Sequence, residues 1–116
     1  MKLLPEDMIA CIEVCSRCAN TCLTTAMKFC LEHGGAHTEP RHFSLMIACA
    51  EICRASAAVM MTGVAEHRQV CAACSEICAA CAQSCADVGD MEDCAAVCQE
   101  CAESCRRMSV APARAA

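Results

Sequence analysis

Residues 71–85 read CAACSEICAACAQSC. Cys71, Cys74, Cys78, Cys81 and Cys85 recur in alternating steps of three and four. That averages about 3.5 residues, the period of a helix seam facing a bundle interior. A strand would repeat every second residue, and a loop scaffold stapled by disulfides would show no period. Residues 91–108, MEDCAAVCQECAESCRRM, follow the same rule with Cys94, Cys98, Cys101 and Cys105. Upstream, Cys11, Cys15, Cys18 and Cys22 do so again, with Cys30 two turns further on, and Cys49 with Cys53 make a shorter run. These four groups hold all 16 cysteines of the 116-residue chain.

Methionine extends the seams. Met8 precedes Cys11 by three, Met91 precedes Cys94 by three, and Met108 follows Cys105 by three. Met46, Cys49, Cys53, Ser56 and Met60 step by three and four. A methionine stripe is ordinarily core filling; at the ends of cysteine seams, passing a soft metal inward is an equal alternative. A second apolar stripe runs beside the sulfur one, for example Leu45, Ala48, Ile52, Ala55 and Val59, or Val70, Ala73, Ile77 and Ala80. It widens the apolar face to that of a buried bundle helix. Charges fall mostly off the seams, with Glu13 and Arg17, and Glu103 and Arg107, spaced as i,i+4 pairs.

Punctuation divides the chain into four helices, expected near 5–32, 40–62, 65–88 and 90–108. Pro5 suits a first turn and Pro40 lies near the second start. Gly34-Gly35, Thr62-Gly63 and Gly89-Asp90 mark the breaks, with Asp90 expected to cap the fourth helix. Short connections make neighbours antiparallel. The expected fold is therefore all-α: an up-down-up-down four-helix bundle with a cysteine-lined core. One bundle domain covers 1–108, and a tail at 109–116 containing Pro112 is expected to be disordered.

Composition agrees. Ala, Cys and Met number 23, 16 and 8, against 19 Leu, Ile, Val and Phe together, so ordinary aliphatic residues do not dominate the core. A net charge of −5 and the absence of Trp and Tyr argue against nucleic-acid binding. No uncharged apolar run reaches the 18 or so residues of a membrane span. The first residues lack the apolar stretch of a secretory signal, which points to the cytoplasm.

In a reducing compartment so many cysteines indicate metal rather than disulfides. Cysteines one turn apart on a helix strain disulfide geometry, and four amphipathic helices have little need of staples. Zinc would use the Cys-x-x-Cys pairs Cys15/Cys18, Cys71/Cys74, Cys78/Cys81 and Cys98/Cys101. These lie mid-helix, and an even stripe selects no tetrahedral point. Iron–sulfur ligands usually sit on wrapping loops, which these do not. A zinc-stabilised interaction module and an iron–sulfur or thiol redox protein stand as alternatives. Cu(I) fits better: it is soft, prefers thiolate and thioether, and accepts low coordination numbers. Pairs such as Cys11/Cys15, Cys18/Cys22, Cys49/Cys53, Cys74/Cys78, Cys81/Cys85, Cys94/Cys98 and Cys101/Cys105 space two thiolates four residues apart. Each Cu(I) neutralises one thiolate, so capacity should approach one ion per cysteine. Catalysis would need an open coordination position and a substrate pocket, and no residue pattern marks either. The chain reads as a binding protein, not an enzyme.

The stretches 71–85 and 91–108 resemble the third and fourth helices of the bacterial copper storage proteins, and the likeness extends over roughly 5–108. Without an export signal, the chain is most similar to the cytosolic class. The resemblance implies a bundle that folds before metal arrives, binds many Cu(I) ions through its sixteen cysteines, and assembles as a homotetramer. In one departure, the second helix carries only Cys49 and Cys53, with Ser56 and Met60 where cytosolic relatives often have thiols.

Antiparallel topology puts Met8, Cys11, Met60, His67, Cys71, Cys105 and Met108 at one end. This end is expected to be the mouth, with Met8, Met60, His67 and Met108 as auxiliary ligands. Phe29 and Phe43 are expected to plug the other. His33, His37 and His42 read as solvated loop residues.

Overall fold

The alanine-rich seams build four helices in the computed structural model, which describes residues 3–111. Helix α1 spans Glu6–Thr25 and continues through a π-helical turn, Ala26–Cys30, into Leu31–His33. Helix α2 is Pro40–Thr62, α3 is His67–Val88 and α4 is Glu92–Val110. A short 3₁₀ turn, Gly35–Thr38, lies between α1 and α2. Each helix packs on two neighbours in a ring, α1 on α2 and α4, and α3 on α2 and α4. The antiparallel four-helix bundle measures 49 × 24 × 18 Å.

Local chemistry sets the ends. Pro5 precedes α1, and Glu6 and Asp7 place negative charge at its positive N-terminus. Pro40 opens α2, where the His42 backbone N–H donates to Glu39 Oε1 at 3.0 Å. Gly63 ends α2 in the left-handed region at φ 75°, where a side chain would strain the turn. Asp90 does not cap α4: it sits at φ 59°, Met91 takes the capping position, and no side chain bonds there. Helix α4 also runs on through Ser109 and Val110, so the helix includes residues expected in the tail. The rest of that tail, from 112, lies outside the described residues.

The bundle axis is sulfur. All sixteen cysteines are buried and free, and Met8, Met46, Met60, Met91 and Met108 join them in the core. The second apolar stripe is only half-buried at Leu45, Ile52, Val59, Val70 and Ile77, with Ala48 and Ala55 exposed. Within one chain it flanks the core without being enclosed by it. Helix α2 is long and apolar enough, by length and composition, to cross a membrane, with a mean hydropathy of 1.6. Its sulfur face nonetheless points into the bundle. The expected helical ion pair of Arg17 with Glu13 is replaced by one across the bundle, from Arg17 to Glu100 at 2.9 Å.

Candidate metal centre

Each seam turns its thiols inward, and the four seams meet. Cys22 Sγ lies 3.3 Å from Cys98 and 3.6 Å from Cys94. Cys15 lies 3.4 Å from Cys105, Cys53 lies 3.4 Å from Cys78, and Cys49 lies 3.5 Å from Cys78. The tightest contacts therefore run between helices. Pairs four residues apart on one helix, such as Cys18/Cys22 at 3.9 Å and Cys74/Cys78 at 3.7 Å, are looser. A metal about 2.3 Å from three coplanar sulfurs spaces them about 4.0 Å apart. The thiols stand at or somewhat inside that spacing, so small outward shifts of the sulfurs would admit the metal.

Four thiol tetrads have all their sulfurs within 4.8 Å of one another: Cys15/Cys74/Cys101/Cys105, Cys18/Cys49/Cys53/Cys78, Cys18/Cys22/Cys49/Cys98 and Cys53/Cys74/Cys78/Cys101. Neighbouring tetrads share members. Cys53, for example, belongs to two and contacts Cys74, Cys78 and Cys101. A thiolate shared in this way can bridge two ions, so the geometry describes a continuous chain of positions. At one end Met46 Sδ sits over Cys85, Cys81 and Cys94 at 3.5, 3.7 and 3.8 Å and supplies a thioether.

Electrostatics favour metal over bare thiolate. Burial pushes the Cys30 thiol above its ordinary range. S–H contacts with Cys101, Cys18 and other neighbours, then burial, push Cys78 up; contacts with Cys18 and Cys22 do the same to Cys98. Thiols that accept instead, such as Cys74 from Cys101 and Cys105, move down. Thiols are weak donors and a buried anion is costly. A thiolate formed in this network therefore needs a cation to balance its charge.

The auxiliary residues divide. Met8, Met60 and Met108 are buried at the end that holds Cys11 and Cys105. His67 is buried there too, its Nδ1 2.7 Å from the Val64 carbonyl. With Nδ1–H donating, Nε2 keeps its lone pair, and that atom is buried without a partner among the described residues. A fixed tautomer with a free inward nitrogen is how ligating histidines are prepared.

The reading of His37 and His42 as solvated is overturned: they are 4% and 2% exposed. With Cys30 they form a further cluster whose ligand atoms all lie within 4.8 Å of one another. Burial, then the neighbouring imidazoles of His33 and His42, hold His37 below the usual histidine range. Sequence reasoning missed His37 because a loop position carries no periodicity, and His42 because it was grouped with that loop although it opens a helix. The available signal was that His42 precedes Met46 by one turn and so falls on the α2 seam. His33 is exposed, as expected. Surface cavities reach the same end of the bundle: one of about 410 Å³ touches His42 and Ser84, and one of about 370 Å³ touches Cys85 and Met91.

Comparison with known proteins agrees with the geometry. Residues 4–110 match the family described as Csp, copper storage protein. Among solved structures, the chain resembles the Nmul_A1745 protein of Nitrosospira multiformis, with 47% identity over 90% of this chain and 95% of that one, at a TM-score of 0.88. It also resembles Cu(I)-bound copper storage protein BsCsp3, with 34% identity over 90% of this chain and 100% of that one, at 0.83. The apo form of copper storage protein 3 from Bacillus subtilis shares 35% identity over 87% of this chain and 97% of that one, at 0.79. No curated protein matches the chain.

Proposed function

The chain belongs to the copper storage protein family and stores multiple Cu(I) ions, and from that premise we propose which residues hold the metal and how. The ligands are the sixteen seam cysteines. The observation that carries this assignment is the sharing of thiols between adjacent tetrads, which gives bulk capacity and no single privileged site. Cu(I) suits such a core because each monovalent ion cancels one thiolate charge. A divalent ion at every position would leave the interior strongly positive. Capacity approaches about one ion per thiol. Met8, Met60, His67 and Met108 serve as auxiliary ligands at one end of the tube, supported by their burial and by the free Nε2 of His67.

Helices rich in alanine need no metal to nucleate, so the tube is ready before copper arrives. The likeness to both an apo and a Cu(I)-bound relative supports this. A reducing compartment, the cytoplasm, keeps the free thiols reduced. A homotetramer would cover the half-buried second stripes. The protein acts by binding, and no residue is assigned to catalysis.

The test is an anaerobic titration of the reduced protein with Cu(I) against a strong chromogenic Cu(I) chelator, with circular dichroism recorded at each point. Tight uptake of many ions, with helix content already high at zero copper, is the expected result. Uptake of one or two ions, or helix that forms only as copper is added, refutes it. Analytical ultracentrifugation checks the tetramer: a monomer at all concentrations removes it.

A further inference from the structure

We infer that Cys30, His37 and His42 form a discrete Cu(I) site of one thiolate and two imidazoles, chemically distinct from the thiolate tube beside it. The inference rests on the Cu(I) storage reading and assigns two ligands, His37 and His42, that the cysteine seams do not predict. Three separate local devices aim the three donors at one point. The i→i+5 bonding of the π turn Ala26–Cys30 takes up one extra residue. An uninterrupted seam from Cys22 would bring Phe29 inward; instead Phe29 is half-buried and Cys30 is fully buried. The 3₁₀ turn Gly35–Thr38, entered through Gly34 at φ 72°, folds His37 back over the end of the bundle. The first turn of α2, fixed by Pro40 and by the Glu39 cap on the His42 N–H, presents His42.

The donor atoms face one another. Cys30 Sγ is 4.0 Å from His37 Nδ1 and 3.9 Å from His42 Nε2. A thiolate and an imidazole on one ion, at about 2.3 and 2.0 Å, stand roughly 3.5–3.7 Å apart. A contraction of a few tenths of an ångström closes the site. Outer contacts already set the rings. His42 Nδ1 lies 2.7 Å from Ser84 Oγ, and donation from Nδ1–H leaves the Nε2 lone pair facing Cys30. The His37 ring packs edge-on to Phe29 at 5.0 Å and to His33 at 4.5 Å.

Plain core packing does not account for this convergence. Sulfur–nitrogen contacts near 4 Å are poor hydrogen bonds, and two buried imidazoles gain little by aiming ring nitrogens at a thiol. A metal would replace the weak contacts with ligand bonds. Charge selects the ion: one thiolate with Cu(I) is neutral, whereas a divalent ion would leave a buried positive charge. The sulfur contacts of Cys30 run to the two imidazoles, while Met46 closes over Cys81, Cys85 and Cys94. The site therefore stands outside the shared-thiolate chain, next to the cavity that reaches His42 and Ser84. An ion held there bridges to no second copper, so it is the one that exchanges most readily.

The experiment uses ¹⁵N-labelled full-length protein and long-range ¹H–¹⁵N imidazole spectra during anaerobic Cu(I) loading. His37 Nδ1 and His42 Nε2 should shift on loading while the exposed His33 stays put. Cys30→Ser should abolish both shifts and lower capacity by one ion while the other thiols still fill. His37→Gln, a loop substitution that spares the helices, should also cost one ion and remove the fraction of copper that a chelator takes first. Thiols that fill while both imidazoles stay unmoved would overturn the site and leave the storage reading standing. A preference of the two imidazoles for Zn(II) over Cu(I) would overturn the choice of ion. Failure to take up Cu(I) at all would remove the storage reading and the site with it.

Discussion

Ser56 interrupts the α2 seam, and its replacement separates packing from metal binding. Its side chain is fully buried, and Oγ has no hydrogen-bond partner among the described residues. A buried hydroxyl left unsatisfied costs about 1–3 kcal/mol. Ser56→Ala removes that hydroxyl and nearly preserves volume, so it should stabilise the metal-free protein by at least about 1 kcal/mol. Unfolding entropy of about 2.1 cal/mol/K per residue gives a chain of this length about 0.24 kcal/mol/K, or about 4 °C in Tm per kcal/mol. Ser56→Cys should give a smaller rise, since the larger sulfur must be fitted into a packed core, but it adds a ligand on the seam. Thermal melts at fixed protein concentration and Cu(I) titrations of both variants provide the assay. Ala should raise Tm with capacity unchanged; Cys should raise capacity by one ion. If Ala lowers Tm, the hydroxyl is satisfied after all. If Cys adds no copper, position 56 does not face the tube and the seam argument for α2 is wrong.

Other perturbations follow from the same network. Loading at constant pH should release about one proton per thiolate-bound ion, measured by pH-stat; no release would mean that the thiols were already ionised. Burial raises the folded pKa of Cys30 above the ordinary 9.0, so the unfolded chain ionises first as pH rises. That stability is full below the unfolded pKa and is lost as pH climbs through the folded one. Metal-free protein should therefore drop further in melting point between pH 7 and pH 10 than a Cys30→Ser variant does, and an equal drop in the two would count against a neutral buried Cys30 thiol. Met91→Leu should slow copper uptake more than Met60→Leu combined with Met108→Leu, because the cavity reaching Cys85 opens beside Met91. Stopped-flow uptake in the reverse order would place the mouth at the Met8 end, where the sequence puts it.

The periodic part of the molecule was legible in its sequence. Steps of three and four fix which face of each helix turns inward whatever the neighbours are, so the bundle and its thiol tube follow from residues such as Cys71, Cys74 and Cys78. What was not legible is where period fails. The π turn at Ala26–Cys30 changes which residue faces inward, and no composition rule announces such a turn. His37 lies in a loop, where exposure is the ordinary expectation, yet the chain folds it back under Phe29 and His33. Asp90 has the chemistry of a helix cap but takes the left-handed conformation that the turn before α4 requires. Arg17 has Glu13 one turn away and pairs instead with Glu100 on the facing helix.

A core made of ligands has a structural consequence. Cysteine is small, so a seam of thiols buries less apolar area than a seam of leucine and draws the helices together less strongly. The fold must find cohesion elsewhere. Beside the seams, Ile12, Ile47, Ile52, Ile77 and Val88 pack against the core while remaining partly exposed. Alanine at Ala19, Ala50, Ala57, Ala82 and Ala102 lets neighbouring helices approach closely. The residues that hold the bundle therefore flank the tube, and its axis is left to metal. Copper can then fill the axis by replacing S–H protons, without displacing the side chains that define the fold. The same division explains why the second stripe is incompletely covered in one chain, and why further burial by association would stabilise the bundle without touching the ligands.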